Sequence, residues 1–127
     1  MKIIIDTPKF SFKKYKDDGT VDYASPIPCP FNYGSIPNTV SGDGDRQDAI
    51  VLGKKVKGEV ESELRGIVNF LDEGKDDAKW ICSANPITFF EKLQLLTFFH
   101  VFGLAKKVLN RVRGKKGETA FIGIEIL

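Results

Sequence analysis

Residues 43–48 read Asp-Gly-Asp-Arg-Gln-Asp, and residues 72–79 read Asp-Glu-Gly-Lys-Asp-Asp-Ala-Lys. Each stretch adjoins an apolar, strand-like run and carries a glycine at which the backbone can bend sharply. Two carboxylates about 4 Å apart repel each other by roughly 4 kcal/mol at an effective dielectric constant of about 20, so a cluster of them needs cations. Carboxylate oxygens select Mg²⁺, Mn²⁺ or Ca²⁺, and Mg²⁺ commonly completes its coordination shell with water and substrate phosphates. The two stretches therefore predict a divalent-metal site that works on phosphate.

A structural turn is the simpler interpretation of an Asp-Gly-Asp loop, because Asp side chains commonly bond to the backbone of turns. The second acidic stretch favours the metal site over this interpretation. An EF-hand calcium loop beginning at Asp43 is excluded, since its sixth position is Asp48 instead of glycine and its twelfth is Lys54 instead of glutamate. Zinc is not predicted, because His100 has no second histidine or cysteine at ligand spacing.

The length and charge of the chain limit the classes of protein to consider. Its 127 residues are enough for one domain with a hydrophobic core, and 42% of them are hydrophobic. The formal net charge is only +2, which is not the strongly basic footprint of a nucleic-acid-binding protein. We expect a single domain over residues 1–127 whose partners include no nucleic acid.

Neither a membrane partner nor export is predicted. No run approaches the ~18 consecutive apolar residues that a membrane-spanning helix needs. The few apolar residues before Asp6 are too short for a secretory signal. Cys29 and Cys82 stand far apart in the sequence, as expected for two buried thiols in a reducing compartment. We therefore expect a cytoplasmic protein.

The hydrophobic pattern predicts a mainly β protein with helices (α+β), a small β-barrel with one or two helices packed on it near the C-terminus. The predicted strands are residues 2–5, 49–53, 64–70, 79–83 and 119–127, together with a hairpin across 9–24 that turns at Asp18-Gly19. Residues 25–48 are rich in proline and glycine, and we interpret them as a long, packed and functional loop.

One helix is predicted after residue 84, with two alternative starts. Either Asn85-Pro86 supplies the N-cap and the first helical residue, or Thr88 and Glu91 form a capping box. Gly103 is predicted to break or kink the helix before residues 104–110. The predicted core face of the helix consists of Phe89, Leu93, Leu96 and Phe99.

Residues 30–39 and 43–48 together resemble the signature region of family I soluble inorganic pyrophosphatases. Members typically read Pro-x-Asn-Tyr-Gly-x-Ile-Pro-x-Thr, then a short spacer and Asp-Gly-Asp-Pro-x-Asp. Here the two segments read Pro-Phe-Asn-Tyr-Gly-Ser-Ile-Pro-Asn-Thr and Asp-Gly-Asp-Arg-Gln-Asp. The second family element, Asp-Glu-x-x-x-Asp-x-Lys, is matched at Asp72, Glu73, Asp77 and Lys79. Two elements in the family's order make this resemblance specific.

The resemblance implies an OB-like five-stranded barrel flanked by helices. It also implies hydrolysis of inorganic pyrophosphate to two phosphates, with Mg²⁺ as the cofactor and Mn²⁺ as the alternative. A metal-activated water would attack, and Asp45 would accept a proton from it. The implied metal ligands are Asp43, Asp48, Asp72 and Asp77. The implied contacts to substrate or product phosphate are Lys9, Tyr33 and Lys79.

The sequence in and before the first acidic element departs from the family pattern at three points. Arg46 replaces the proline of Asp-Gly-Asp-Pro, and Cys29 replaces a tyrosine that precedes the first element. A cysteine there raises the question of redox sensitivity. The family also carries an arginine upstream of the first element, whereas no arginine precedes Arg46 in this chain.

The phosphate-binding positions depart further. A Tyr-Lys pair that follows two phenylalanines in the family's last helix is replaced by Phe102-Gly103, so Lys106 or Lys107 would have to substitute. The family's N-terminal Lys-Tyr-Glu strand is best matched at Lys9, with Lys14 as the rival, and in both cases the glutamate is missing. The metal ligands are thus preserved while the phosphate contacts are fewer.

Two alternative functions stay open on the sequence alone. The site could act on, or only bind, another small phosphoanhydride or phosphate. The chain could also be a non-catalytic OB-type binding module, but such grooves need basic and stacking residues along a strand face, and these loops are acidic. Pyrophosphate and phosphate are the expected small-molecule partners, and the resemblance adds a homo-oligomer as a further expectation.

Overall fold

In a computed structural model, residues 1–10, 29–40 and 44–127 are described, together with the backbone of two strands at 13–15 and 21–24. One α-helix and ten β-strands form in these residues. In chain order they are β1 (Lys2–Thr7), β2 (Lys13–Tyr15), β3 (Val21–Ala24), β4 (Asn32–Ile36), β5 (Gln47–Val51), β6 (Gly58–Glu61), β7 (Leu64–Asp72), β8 (Lys75–Asp76), β9 (Lys79–Cys82), α1 (Phe89–Val112) and β10 (Ala120–Ile126).

Seven strands form one continuous sheet in the order β10-β7-β9-β5-β4-β1-β6, with β8 paired to β7. The β5–β9 pair is parallel and the other pairs are antiparallel. The predicted mainly β class with a packed C-terminal helix is confirmed. The sheet has more strands than the five expected, and its two outer strands, β10 and β6, are not paired with each other in the described part of the chain.

The sheet buries apolar side chains on both faces. One cluster lies under α1 and contains Phe31, Ile50, Leu52, Val68, Phe70, Ile81, Leu95 and Phe99. The second cluster lies on the opposite face and contains Ile3, Ile5, Ile36, Ala49, Val51 and Cys82. Consecutive residues of β5 divide between the two clusters, as the two-residue period of a strand requires.

The predicted loop over residues 25–48 is wrong in its centre, because Asn32–Ile36 is a strand between β1 and β5. Its buried positions are Asn32, Gly34 and Ile36, so apolar alternation does not reveal it. Gly34 is required by a close approach: a Cβ there would collide with the backbone carbonyl oxygen of Ile4. The predicted hairpin across 9–24 is confirmed as the β2–β3 pair, whereas the turn at residues 18 and 19 lies outside the described residues.

Asn32 is fully buried and ties three segments of backbone together. Its Nδ2 donates to the carbonyl oxygens of Val51 and Lys54, at 3.2 and 2.9 Å. Its Oδ1 accepts from the backbone N–H groups of Lys9 and Val56, both at 3.0 Å. One side chain therefore supplies hydrogen-bond partners for four backbone groups in loops and at strand ends.

Helix α1 begins with the Thr88–Glu91 capping box, which decides between the two predicted starts. The predicted break at Gly103 is wrong, since the helix is continuous. A Cβ at Gly103 would lie 3.2 Å from the Cβ of Phe121, so glycine allows β10 to pack closely on the helix. The predicted core face is confirmed at Phe99 but wrong at Phe89 and Leu93, which are exposed. The buried residues of the helix are Leu95, Phe99, Gly103 and Asn110.

Strand β10 confirms the predicted C-terminal strand, but its alternation is interrupted. The register against β7 shifts between Phe121 and Gly123. Phe121 and Ile124 therefore both pack on the cluster under α1, while Ile122 is exposed. No helix among the described residues combines the length and the apolar character needed to cross a bilayer.

Asn32→Ala should lower the free energy of unfolding by about 2–4 kcal/mol, because it leaves several buried backbone groups without partners. Urea unfolding followed by circular dichroism measures the change. Asn69→Ala is the matched control, since Asn69 donates one hydrogen bond to Glu125 at an exposed position and should cost well under about 1 kcal/mol. Equal losses in the two variants would contradict the role given to Asn32.

Both cysteines are free thiols, and burial raises the pKa of Cys29 and of Cys82 to about 11. The unfolded chain releases these protons near pH 9 whereas the folded chain keeps them, so stability should fall as pH rises from about 9 to about 11. Urea unfolding across that range tests the expectation. The double variant Cys29→Ala, Cys82→Ala should show a flatter dependence, and an unchanged slope would contradict the assignment.

Candidate functional site

Strand pairing brings the two acidic stretches together. Asp48, the second residue of β5, is directly paired with Lys79, the first residue of β9. Directly paired residues in a sheet place their side chains on the same face. The parallel β5–β9 pair thus joins the first acidic stretch to the end of the second.

Lys79 lies between two carboxylates. Its Nζ is 3.2 Å from Oδ2 of Asp48 and 2.9 Å from Oδ2 of Asp77, and it also donates to the backbone carbonyl oxygen of Asp77 at 3.2 Å. Lys79 is 3% exposed, whereas the side chains of Asp48 and Asp77 keep 21% and 17% of their surface. The two carboxylates therefore face one small volume that already holds a positive charge.

Aromatic rings shield this ammonium from water. Nζ of Lys79 is 5.5 Å from the ring centroid of Phe70 and 5.8 Å from that of Tyr33. Burial alone would lower the pKa of Lys79, but the attraction of Asp48 and Asp77 and their hydrogen bonds outweigh it and raise the pKa. Lys79 is therefore a permanent cation at neutral pH.

The β7–β8 hairpin positions Asp72 and returns the chain to Asp77. Asp72 pairs with Lys75 across a two-residue turn in which Glu73 and Gly74 both have positive φ, 54° and 79°. That turn type favours glycine at its second central position. The backbone N–H of Asp77 then donates to the carbonyl oxygen of Phe70 at 2.9 Å, which holds Asp77 beside the end of β7.

A second polar cluster surrounds Asp72. The Nδ2 of Asn110 and the hydroxyl of Thr119 both donate to its Oδ1, at 2.8 and 3.4 Å. Nζ of Lys106 lies 3.9 Å from its Oδ2. Lys106 and Asn110 are one helical turn apart, so the last turns of α1 contribute a cation and an amide to the same carboxylate.

The remaining predicted residues are placed as follows. Asp45 and Arg46 are exposed in the segment that precedes β5, and Asp43 lies outside the described residues. Tyr33 is half-buried on β4 beside Lys79. Asp48, Asp77, Lys79 and Tyr33 are thus brought together, whereas Asp72 lies at the end of β7 with polar partners of its own.

Lys9 is not brought to the carboxylates. Its Nζ donates to the carbonyl oxygen of Gly53 at 3.0 Å, and Gly53 follows the far end of β5. Five residues of strand separate Asp48 from Gly53, or about 16 Å at roughly 3.3 Å per residue. Lys9 instead lines a cavity of about 280 Å³ with Phe31, Lys54, Glu91 and Gln94. The interpretation of Lys9 as a substrate contact has no support in this placement.

Sequence reasoning missed four residues that support the site. Asn110 and Thr119 bind Asp72, and Phe70 covers Lys79. Gln47 donates from Nε2 to the carbonyl oxygens of Asp48 and Ala78, at 3.1 and 2.6 Å, and so links β5 to the start of β9. The sequence did contain a signal for Asn110: a polar residue in the last turns of an apolar helix, one turn after Lys106.

The donor set suits a hard divalent cation, because Asp48, Asp72 and Asp77 offer only carboxylate oxygens. Within residues 1–10, 29–40 and 44–127, no three acidic, histidine or cysteine side chains converge closely enough to hold an ion by themselves. Asp43 belongs to the segment outside these ranges. The ammonium of Lys79 already lies between Asp48 and Asp77, and the partly exposed carboxylates of these two residues are the donors that would fit a divalent cation.

Comparison with known proteins gives a consistent result. A family model described as inorganic pyrophosphatase matches residues 3–110. An inorganic pyrophosphatase of Saccharolobus solfataricus is 37% identical over 92 residues, which cover 64% of this chain and 53% of that protein. One of Gluconobacter oxydans is 37% identical over 92 residues, covering 65% and 53%. The chain thus spans about half the length of these curated relatives.

Solved structures agree with the fold. The structure of an inorganic pyrophosphatase of Helicobacter pylori matches with a TM-score of 0.77 and 25% identity, covering 99% of this chain and 84% of that one. One of Thermus thermophilus matches with a TM-score of 0.77 and 25% identity, covering 99% and 82%. The sheet and helix described above are therefore shared with these proteins.

Lys79→Met should lower the free energy of unfolding by about 3 kcal/mol, because Asp48 and Asp77 would face each other without a counter-charge. Added Mg²⁺ should restore more stability to the variant than to the wild type, since a divalent cation can replace the lost charge. Urea unfolding with and without Mg²⁺ measures both effects. Lys107→Met, at an exposed helix position, is the control, and equal stability of the two variants would contradict this account.

Proposed function

The chain belongs to the inorganic pyrophosphatase family, and we propose that it hydrolyses inorganic pyrophosphate to two phosphates with Mg²⁺ as the cofactor. The observation that carries the proposal is the convergence of the two acidic family elements at Lys79. Family membership favours this function over the non-catalytic binding module. The alternative substrates, other small phosphoanhydrides, become outcomes of the test below.

The carboxylates would hold the cofactor. Asp43, Asp48, Asp72 and Asp77 are the proposed ligands, with Mn²⁺ as the alternative ion. A bound divalent ion supplies charge neutralisation for the substrate and lowers the pKa of a coordinated water. Asp48 and Asp77 keep part of their surface exposed, which supports access of an ion from solvent.

Asp45 is proposed to accept the proton of the attacking water. It lies in the exposed segment just before β5, between two proposed ligands in the sequence. A carboxylate there can take up a proton without breaking the Asp48–Lys79–Asp77 cluster. Because general bases contribute about 10²–10⁴-fold to rate, loss of Asp45 should be readily measured.

The basic side chains divide into two proposed roles. Lys79 is enclosed between Asp48 and Asp77, so we assign it to holding these carboxylates in place and adding positive charge behind the substrate. Tyr33 covers Lys79 and would meet phosphate only through its hydroxyl. Lys106 is 28% exposed at the side chain beside Asp72, and we propose that it contacts phosphate in place of the family's Tyr-Lys pair.

The proposed setting follows from the same observations. Two free thiols, one buried and one partly buried, support a cytoplasmic location. Pyrophosphate and phosphate are the proposed partners, with no nucleic acid and no membrane. Self-association stays a prediction. Size-exclusion chromatography with light scattering measures it directly.

Purified protein should release phosphate from pyrophosphate when Mg²⁺ is present and stop when the metal is chelated. Asp45→Asn should lower kcat by about 100-fold or more with Mg²⁺ affinity unchanged, because the amide cannot accept the proton. Asp76→Asn is the matched control, since Asp76 is an exposed carboxylate of β8 outside the cluster.

A panel of pyrophosphate, triphosphate and nucleoside triphosphates identifies the substrate in the same assay. Release from triphosphate or nucleotides with none from pyrophosphate would overturn the proposed substrate and keep the metal site. Mg²⁺ binding without release from any of them would overturn the proposed hydrolysis.

A further inference from the structure

Asn110 occupies a position where an amide is costly. It is 4% exposed, next to the C-terminal end of α1, among residues that otherwise bury apolar side chains. Its Nδ2 donates to Oδ1 of Asp72 and to the hydroxyl oxygen of Thr119, both at 2.8 Å. Its Oδ1 is buried and has no hydrogen-bond partner in the described structure. An orphaned buried carbonyl costs free energy that an apolar side chain would avoid.

The orientation of this amide follows from Asp72. Rotating the amide by half a turn would place Oδ1 of Asn110 against the Asp72 carboxylate, where two acceptors meet. The orientation with Nδ2 toward Asp72 gives a charge-assisted hydrogen bond, and the unpaired Oδ1 on the other side is its consequence.

The hydroxyl of Thr119 completes the arrangement. A hydroxyl has one proton and two lone pairs. Its oxygen accepts from Nδ2 of Asn110 at 2.8 Å and from the backbone N–H of Glu73 at 3.2 Å. Both lone pairs are then used, so its proton points to Oδ1 of Asp72, 3.4 Å away. Two donors thus bind one carboxylate oxygen of Asp72.

The other oxygen is left for another partner. Lys106 approaches Oδ2 of Asp72 only to 3.9 Å, which is longer than a hydrogen bond. The carboxylate is therefore hydrogen-bonded through Oδ1, while Oδ2 faces the ammonium of Lys106.

We propose that Asn110 is a positioning residue that, with Thr119, fixes the Asp72 carboxylate so that its Oδ2 serves as the metal-binding oxygen. This inference rests on the proposed function, in which Asp72 is a metal ligand. Residues that orient a metal ligand through hydrogen bonds typically change metal affinity by 10–100-fold when they are replaced. This role explains why a buried amide with an unpaired Oδ1 stands at position 110: its Nδ2 is needed to hold the Asp72 carboxylate.

Asn110→Leu separates this role from a structural one. The substitution keeps a similar volume and removes the orphaned carbonyl, but it also deprives Asp72 and Thr119 of the donor Nδ2, so the urea midpoint of the metal-free protein should fall. The Kd for Mg²⁺, measured by calorimetry in the absence of substrate, should rise about ten-fold or more. Asn69→Leu is the matched control, since Asn69 lies on the same strand as Asp72 but bonds to Glu125.

A double-mutant cycle with Asp72→Asn completes the test. If Asn110 acts through Asp72, Asn110→Leu should have no further effect on Mg²⁺ affinity once Asp72 is replaced. Equal losses in the presence and absence of the Asp72 carboxylate would overturn the proposal, as would an unchanged Kd in a folded Asn110→Leu protein. Absence of Mg²⁺ binding by the wild type would instead overturn the proposed function on which it rests.

Discussion

The buried ammonium of Lys79 is the interaction on which the rest of the structure depends. Its two carboxylate partners come from different parts of the chain, Asp48 from β5 and Asp77 from the segment before β9. Two carboxylates held this close together would repel each other strongly if no cation lay between them. The ion pairs therefore stabilise the pairing of the parallel strands β5 and β9 at the centre of the sheet. This stabilisation requires that Lys79 and both carboxylates stay charged.

The same arrangement explains how a site that accumulates negative charge can exist in a stable fold. Asp48, Asp72 and Asp77 each have a positive or hydrogen-bonding partner from the protein itself, Lys79 for two of them and Asn110 with Lys106 for the third. A resident cation of the protein lowers the repulsion among these carboxylates, and their oxygens stay partly exposed. Under the proposed function, stability and metal binding would draw on the same carboxylates, which would couple the two properties.

Local sequence patterns predicted the parts of the site that depend on local structure. Asp72 was expected at the end of a strand and Lys79 at the start of the next one, because an apolar run or alternation adjoins each of them. The strand at 32–36 was missed, because two of its buried positions are the non-apolar residues Asn32 and Gly34. Asn32 is buried because it hydrogen-bonds to distant backbone, and Gly34 because the backbone of β1 passes close to it. The position of Lys9 could not be predicted for a related reason, since the chain's path after β1 depends on bonds to Asn32 and Gly53 that no periodicity encodes.

In helix α1, the contact of Gly103 with Phe121 affects which residues near the C-terminal end of the helix reach the site. Gly103 does not end α1 but packs against Phe121, so the helix continues past β10. Seven residues separate Gly103 from Asn110, or about 10 Å at 1.5 Å rise per residue. That length carries Lys106 and Asn110 to Asp72. Gly103, which stands where the resemblance would place the family's lysine, is thus part of an uninterrupted helix that brings the ammonium of Lys106 and the amide of Asn110 to Asp72.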